Sequence, residues 1–388
     1  MNFMRESHST NFMKEERRIF EGLYPGFAEE VLEIPLEERE GPNSDVVERF
    51  RRVNGTTLLV PREYGGTGAT ATEAVAVHQM LGSICPSLSV AATMHNFTVA
   101  FLAEYSFYGD ATREFLRDIG ENKRYLASGF AEGRSGANIL HTTMEAKWLD
   151  NGGVSITGSK KPCSVAVSMD YLTASVMLDA RGSMPSQRAI AIIPAHLDGF
   201  ERKEFWTPRS LAGAQTMEVV LNGVEIGEDM LFLPQADVPL DAVEAGGFLW
   251  FELLCTASYL GAVSRLYETA LEQERGSAAE RSRVLCVLET CAAALRGMAE
   301  QIQNSPADER VSDDLVARAL SIRFGIQMQL GEMAYTCAEM LGGMHFIRNP
   351  EVEYRLACCS ALAFHPPSRI WAAEVLDAYA RGGALEMV

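Results

Sequence analysis

The periodicity of apolar residues changes twice along the chain, and the order of these changes limits the folds that the chain can adopt. Residues 1–125 carry apolar residues at three- and four-residue spacing, which predicts helices. Residues 126–238 are rich in β-branched residues that partly alternate and are interrupted by Gly, Asn, Asp and Pro, which predicts strands. Residues 239–388 return to long helical patterns joined by short connections.

The order of helices, strands and helices predicts an α+β fold with three domains at these boundaries. A chain of 388 residues also exceeds the ~250–300 residues of a single hydrophobic core. No long helical pattern separates the strands, so the middle domain is expected to be a small antiparallel sheet or barrel. The C-terminal patterns suit an antiparallel helix bundle. Segments such as LCTASYLGAVSRLYETAL are apolar on more than one face, so we expect a homodimer or homotetramer formed through this region.

Charge and cysteine content narrow the class of protein. The formal net charge of −18 repels phosphate backbones, so nucleic acid is not an expected partner. The eight cysteines form no C-x-x-C pair and lie beside no histidines at zinc spacing, which predicts reduced, buried thiols and no metal site. The N-terminus lacks an apolar core of signal-peptide length, and no uncharged apolar run reaches the ~18 residues of a membrane span. We therefore expect a cytoplasmic protein with no membrane segment.

Several short motifs follow one another in the order of a known family. VPREYGGTG lies in the first region, ASGFAEGRSGANILHTTMEAK and SITGSKK at the start of the second, VVLNGVEIGEDMLF at its end, and AEMLGGMHF in the third. Together they resemble the motifs of the acyl-CoA dehydrogenase superfamily, over nearly the whole chain. The resemblance implies that FAD lies between the β domain and the C-terminal bundle. It also implies a dimer or a dimer of dimers, in which a neighbouring subunit contributes to the flavin site.

The resemblance assigns residues to the flavin site. The small residues of the GRSGAN loop offer backbone N–H groups to a phosphate, although an ordinary surface turn has the same composition. Ser164 falls where the family places a hydroxyl beside the flavin ring, and Gly342 and Gly343 fall where the pyrophosphate approaches the backbone. A solvent-facing serine and a helix C-cap are the structural alternatives. Arg275 or Arg283 replaces an arginine that reaches the partner's cofactor. The residues expected to bind the cofactor are Phe130, Ala131, Ser135, Gly136, Ser164, Arg275, Gly342 and Gly343.

Two residues are candidate catalytic bases. The late turn AFHPPS puts His365 where most family members have the glutamate that removes the α-proton of an acyl thioester. An unperturbed imidazole, with a pKa of ~6.5, is a competent base near neutrality. Glu252 is the ionisable residue of the apolar segment LWFELLCTAS, on the helix that carries the base in other members. Its pKa should be raised there, unless it lies on the solvent side of the helix.

The sequence leaves three functions open. The preferred one is FAD-dependent α,β-dehydrogenation of an acyl thioester, on CoA or on an acyl or peptidyl carrier protein, in specialised metabolism and with a separate electron acceptor. The alternative is a monooxygenase of the same fold, which takes reduced FAD or FMN from a flavin reductase and hydroxylates carbon, nitrogen or sulfur. A histidine at the late turn and a serine on the flavin strand of that branch match His365 and Ser164, and His95 is either a substrate contact or a core histidine. A flavin-free binding or scaffold protein is the third.

Overall fold

The N-terminal region of the computed structural model is helical, as the spacing of its apolar residues predicts. The structure describes residues 10–104, 109–133, 142–233, 240–305 and 312–385. Within these ranges, the helices of the region are α1 (Lys14–Leu23), α2 (Phe27–Glu33), α3 (Leu36–Arg39), α4 (Val46–Arg52), α5 (Ala71–Ile84), α6 (Pro86–Glu104) and α7 (Asp110–Asn122). Thr70 begins α5 with a capping box, in which its hydroxyl accepts a hydrogen bond from Glu73 N (3.2 Å) and the Glu73 carboxylate accepts one from Thr70 N (2.8 Å).

The middle region folds into a mixed sheet. In the described part of the chain its strands are β1 (Leu126–Gly129), β2 (Glu145–Trp148), β3 (Val154–Cys163), β4 (Tyr171–Leu178), β5 (Gln187–Pro194), β6 (Phe200–Glu204), β7 (Met217–Ile226) and β8 (Leu231–Phe232). They pair in the order β6–β7–β3–β2–β4–β5–β8, with β1 alongside β4. Most neighbours are antiparallel, but β4 runs parallel to β1 and β2, so the expected antiparallel sheet is only partly right. The chain from β2 to β4 passes through β3, which supplies the long connection that parallel neighbours need.

The C-terminal region is a helix bundle built around its first helix. The helices assigned among the described residues here are α8 (Leu240–Glu272), α9 (Ala278–Asn304), α10 (Asp313–Leu341), α11 (Gly343–Arg348), α12 (Pro350–Cys359) and α13 (Arg369–Ala380). Every residue of α8 from 249 to 264 is buried. This helix packs against α5 and α6 of the N-terminal region and against α9, α10 and α12 of its own. Its apolar faces are therefore covered by its own chain and do not by themselves require a partner subunit.

The composition of α8 is also that of a membrane-spanning helix. Within the described residues, one segment, Glu244–Glu272, is long and apolar enough to cross a membrane. However, 94% of its most apolar window is buried inside the protein, which is the behaviour of a core helix in a folded domain.

Two glycines let α5 and α8 meet backbone to backbone. A Cβ atom on Gly82 would lie 1.9 Å from the carbonyl oxygen of Ser258, and one on Gly261 would lie 1.9 Å from that of Gln79. Because protein interiors are close-packed, these distances leave no room for a side chain. The two glycines thus set how closely the N-terminal helices approach the C-terminal bundle.

Replacing Gly261 with alanine should therefore destabilise the protein. The added methyl group must push α8 away from α5, and overpacking of this kind costs about 1–3 kcal/mol. Gly297→Ala on α9 is the matched control, because its Cβ would meet nothing within 4 Å. That substitution should leave stability unchanged or raise it by up to ~1 kcal/mol. Urea unfolding of the two variants measures both effects, and equal midpoints would contradict the proposed helix contact.

Candidate functional site

His365 lies in a short turn that closes the bundle beside α8. A 3-10 turn, Ala361–Phe364, precedes it. Ser368, whose side chain caps α13, follows it. Between them Pro366 and Pro367 have no backbone N–H to donate and cannot continue a helix. The turn therefore interrupts the helices at the position that the sequence predicts.

The imidazole of His365 is partly buried against α8. Its Nε2 lies 2.7 Å from the Tyr259 hydroxyl, and its ring centre lies 6.0 Å from that of Phe251. Burial, together with the charge of Arg323, lowers the pKa of His365 to about 4, so the ring is neutral at pH 7. Burial also raises the pKa of Tyr259 well above its usual value, so the phenol keeps its proton.

The contact between these two side chains permits either atom as the donor, and we assign the ring proton of His365 from the need of the buried hydroxyl for an acceptor. Within the described residues, Nε2 of His365 is the hydrogen-bond partner found for the Tyr259 hydroxyl. A buried hydroxyl donates to an acceptor when one is within reach. The phenol therefore donates to Nε2, and the neutral ring carries its proton on Nδ1. The turn offers an imidazole N–H donor.

Arg323 of α10 holds the backbone of the turn. Its Nη1 donates to Pro367 O (2.8 Å), and its Nη2 donates to Leu362 O (3.0 Å) and His365 O (2.8 Å). The side chain is 1% exposed. One guanidinium thus satisfies carbonyl oxygens on both sides of the imidazole.

Glu252 lies inside the bundle and not on the solvent side of α8. Its Oε2 is 2.9 Å from Nε of Arg323, and both side chains are 1% exposed. Burial raises the pKa of Glu252 and the Arg323 charge opposes the rise, which agrees in direction with the sequence expectation. Whether Glu252 acts as a base stays a prediction.

Ser164 follows β3 in a strained turn. Its hydroxyl is 3.0 Å from that of Thr216, just before β7. The next residue, Val165, has a φ of 58°, a left-handed conformation that β-branched residues rarely adopt. Val165 N donates to Ala214 O (2.9 Å), so the residues before β7 hold this conformation. Strain of this kind is commonly retained at binding sites.

The loop after β1 lies against the end of β3. Ala131 O accepts a hydrogen bond from Lys161 N (2.9 Å), and Phe130 is partly buried. Glu132 accepts from Lys160 Nζ (2.8 Å) and from Thr143 N (2.8 Å), and so joins the residues on both sides of 134–141. Burial alone would raise the pKa of Glu132, but the hydrogen bonds from Lys160 and Thr143 lower it to about 2. Ser135 and Gly136 lie outside the described residues.

Gly342 and Gly343 join α10 to α11. Gly342 has a φ of 83° and ends α10, so the C-cap alternative is right. A Cβ atom on either glycine would meet nothing within 4 Å, which leaves the backbone open to a close ligand. The predicted cofactor role is therefore sterically allowed. Arg275 lies exposed in the turn between α8 and α9, where its carbonyl accepts from Arg281 Nη1 (3.0 Å).

His95 is a core residue. It is 0% exposed, its Nε2 donates to Thr56 O (2.7 Å), and its Nδ1 accepts from Leu126 N (3.0 Å). Nε2 thus joins α6 to the turn at Thr56, and Nδ1 joins α6 to β1. This placement gives no support to the predicted substrate contact and agrees with the core alternative.

Two groups of predicted residues come together. His365 and Glu252 meet through Arg323, and the loop of Phe130 and Ala131 meets the end of β3 that precedes Ser164. The β domain also contacts the bundle where Leu211 N donates to the Tyr354 hydroxyl of α12 (3.0 Å). The Ser164 hydroxyl, the open backbone of Gly342 and Gly343 and the neutral His365 imidazole are each compatible with a contact to a flavin, but within the described residues no hydrogen bond joins these three features to one another.

Sequence reasoning missed Arg323 and Tyr259. Arg323 stands in the apolar stretch ALSIRFGIQM, where an isolated cation is a signal of a buried ion pair. Tyr259 lies seven residues after Glu252. That spacing places the two side chains on the same face of a helix, so this signal was also available.

The comparisons with known proteins agree with the fold. Residues 14–111 match the acyl-CoA dehydrogenase N-terminal domain. The isobutylamine N-hydroxylase of Streptomyces viridifaciens is 39% identical over 373 residues, covering 95% of this chain and 97% of that protein. FMN-bound TdsC of Paenibacillus sp. A11-2, a dibenzothiophene monooxygenase, superposes with a TM-score of 0.79 at 18% identity, covering 94% of this chain and 97% of that one. The prolyl acyl carrier protein oxidase AnaB gives a TM-score of 0.78 at 14% identity, covering 95% and 99%.

These matches confirm the resemblance drawn from the motifs. The two solved structures share the fold at low sequence identity, whereas the N-hydroxylase is related in sequence over almost its whole length. The chain belongs to the acyl-CoA dehydrogenase superfamily.

Proposed function

We propose that the protein is a flavin-dependent monooxygenase that hydroxylates the nitrogen of a small aliphatic amine. Its family makes it a flavin-dependent enzyme of this fold, and the choice between oxygenation and dehydrogenation rests on the site. FMN and FAD both remain candidate cofactors. A separate flavin reductase is the proposed source of electrons.

The state of His365 is the observation that carries the proposal. α-Proton removal needs a base whose pKa lies near the working pH. The pKa of about 4 makes this imidazole a weak proton acceptor at pH 7. A neutral ring with its proton on Nδ1 is instead a hydrogen-bond donor, which suits an oxygen atom held close to the ring.

The residues of the site have separate roles in this reaction. A reduced flavin would supply two electrons to O2, one oxygen atom going to the amine nitrogen and the other leaving as water. In this proposal the Ser164 hydroxyl, which lies 3.0 Å from that of Thr216, donates to the flavin ring, and the open backbone of Gly342 and Gly343 receives a phosphate. The His365 N–H orients oxygen beside the substrate.

The amine class is supported by sequence and by the walls beside His365. The relative that is 39% identical is named an isobutylamine N-hydroxylase. Phe251 packs on the imidazole, and Phe97 packs edge-on against Phe251 with ring centres 5.5 Å apart. An apolar wall of this kind suits a short alkyl chain.

Dehydrogenation of an acyl thioester is the second candidate, and Glu252 favours it. A buried carboxyl with a raised pKa on this helix is a potential base. Its pairing with Arg323 argues against that role, because Arg323 Nε already lies 2.9 Å from Glu252 Oε2.

The substrate assay should separate the two reactions. With photoreduced FMN or FAD, O2 and isobutylamine, we expect the N-hydroxylamine as the product, detected by mass spectrometry. In the reciprocal arm the oxidised flavoprotein is mixed anaerobically with acyl thioesters, and the absorbance of the oxidised flavin should not decrease. Bleaching by a thioester, with no hydroxylamine from any amine, would overturn the proposal in favour of dehydrogenation.

His365→Gln should uncouple flavin oxidation from hydroxylation. The glutamine amide reaches the Nε2 position beside Tyr259 and leaves no donor at the Nδ1 position. Loss of one preorganised donor typically lowers the rate by roughly 10²-fold, so hydroxylamine should fall by about that factor while hydrogen peroxide rises. Flavin content should stay unchanged. His196→Gln is the matched control, because His196 is exposed after β5, away from the turn. Full product formation by His365→Gln would remove His365 from the reaction.

Self-association is the remaining proposal, and we place its surface on the exposed apolar residues of the C-terminal region. They are Met328, Tyr335, Met344, Phe346, Ile347, Phe364, Ile370 and Trp371. Contiguous exposed apolar patches commonly mark protein interfaces. Light scattering should give a mass of two or four times 42.6 kDa, and Ile347→Glu should lower it. A wild-type monomer would contradict this proposal.

A further inference from the structure

We propose that Arg323, with Glu252 as its counter-charge, is a positioning residue that sets the orientation of His365. The inference rests on the proposed role of His365 and assigns to Glu252 an electrostatic task in place of proton transfer. It follows from the hydrogen bonds that Arg323 makes to the turn, from its ion pair with Glu252, and from the two contacts that hold the imidazole.

Among the described residues, Tyr259 and Arg323 are the side chains found to hydrogen-bond the turn from other helices. Leu362 is fully buried, whereas Phe364 and Ile370 on either side of the turn are 86% and 85% exposed. Two prolines remove backbone donors from it. The three carbonyl groups bonded by Arg323 belong to Leu362, His365 and Pro367, so the guanidinium joins the residues before and after the imidazole.

The ion pair with Glu252 explains why the charged guanidinium of Arg323 can lie inside the bundle. A guanidinium that is 1% exposed is strongly unfavourable without a counter-charge. The ionised form of Glu252 supplies that charge at 2.9 Å: burial disfavours this form and the Arg323 charge favours it, and within the described residues neither carboxylate oxygen accepts a well-aligned hydrogen bond. The carboxylate therefore interacts with Arg323 mainly through charge. Breaking the pair on one side leaves a buried ion, whereas replacing both partners removes both charges.

The imidazole is then held at two points. Tyr259 bonds its ring at Nε2, and Arg323 bonds the carbonyl of the same residue. Because two contacts from different helices fix the ring and its backbone, the direction of the Nδ1–H is set by α8 and α10 together. A shift of about 1 Å in such a group is enough to lower the rate of a reaction by ~10²-fold.

The double variant Glu252→Gln/Arg323→Met separates positioning from stability. Glu252→Gln alone should destabilise the fold strongly, since it leaves the guanidinium unpaired. In the double variant both charges are gone, so the thermal midpoint should return towards the wild-type value. The turn of the double variant should nevertheless lose the hydrogen bonds that the Arg323 guanidinium donates to its carbonyl groups. Hydroxylamine per flavin oxidised should stay at least ~10-fold below wild type.

A second readout is independent of activity. ¹⁵N-histidine NMR of the flavin-free protein reports the titration of His365, whose ring faces Tyr259 and the Arg323 charge. In the double variant this pKa should rise towards the ordinary value of ~6.5. The control is Glu16→Gln/Arg296→Met, an ion pair 3.1 Å apart that joins α1 to α9, away from the turn. It should leave the His365 titration and the coupling unchanged.

The outcomes decide between the alternatives. A double variant with wild-type His365 titration and coupling would overturn the positioning role. A purely structural pair would predict that stability and coupling recover together, which would also overturn it. Because loss of the Arg323 charge alone raises this pKa, the positioning role is read from the ¹⁵N shifts of Nδ1 and Nε2: loss of the Nδ1–H tautomer in the double variant, with no hydroxylamine from the wild-type protein on any amine, would support positioning and reject the proposed function.

Discussion

The burial of α8 on all sides is the constraint on which the rest of the structure depends. This helix contacts α5 and α6 of the N-terminal region and α9, α10 and α12 of the C-terminal region. Its position and rotation in the fold are therefore fixed. Gly82 and Gly261 let the backbones of α5 and α8 touch. Because α8 is fixed so closely, the side chains that it presents towards the late turn, Phe251, Glu252 and Tyr259, have fixed positions too.

The low polarity around α8 shifts the pKa values of the ionisable side chains beside the late turn. Burial disfavours the charged form of every ionisable group, so the pKa of Glu252 is raised and that of His365 is lowered. The same burial makes the Arg323 charge effective over a short distance, since little water screens it. A histidine in this place is a neutral donor, whereas a solvent-exposed histidine is a base.

The β domain contributes through strain and hydrogen bonds. The turn after β3 holds Val165 in a left-handed conformation, which persists because Ala214 and its neighbours bond the backbone. Ser164 is carried by this turn, and Glu132 ties the loop beside it to Lys160. These contacts join segments that are far apart in the chain. A separate hydrogen bond, from Leu211 N to the Tyr354 hydroxyl, connects the β domain to the bundle.

The sequence alone determined the order of helices and strands and a turn at His365 ended by prolines, because periodicity and proline chemistry are local properties. The motif order also determined the family. Only the tertiary structure decided that β4 runs parallel to β1 and β2, that Glu252 is paired with Arg323, and that His95 has both nitrogens engaged. Strand direction, burial and ion pairing depend on residues distant in the chain. The protonation of His365 is therefore a property of the packed bundle and not of the motif that contains it.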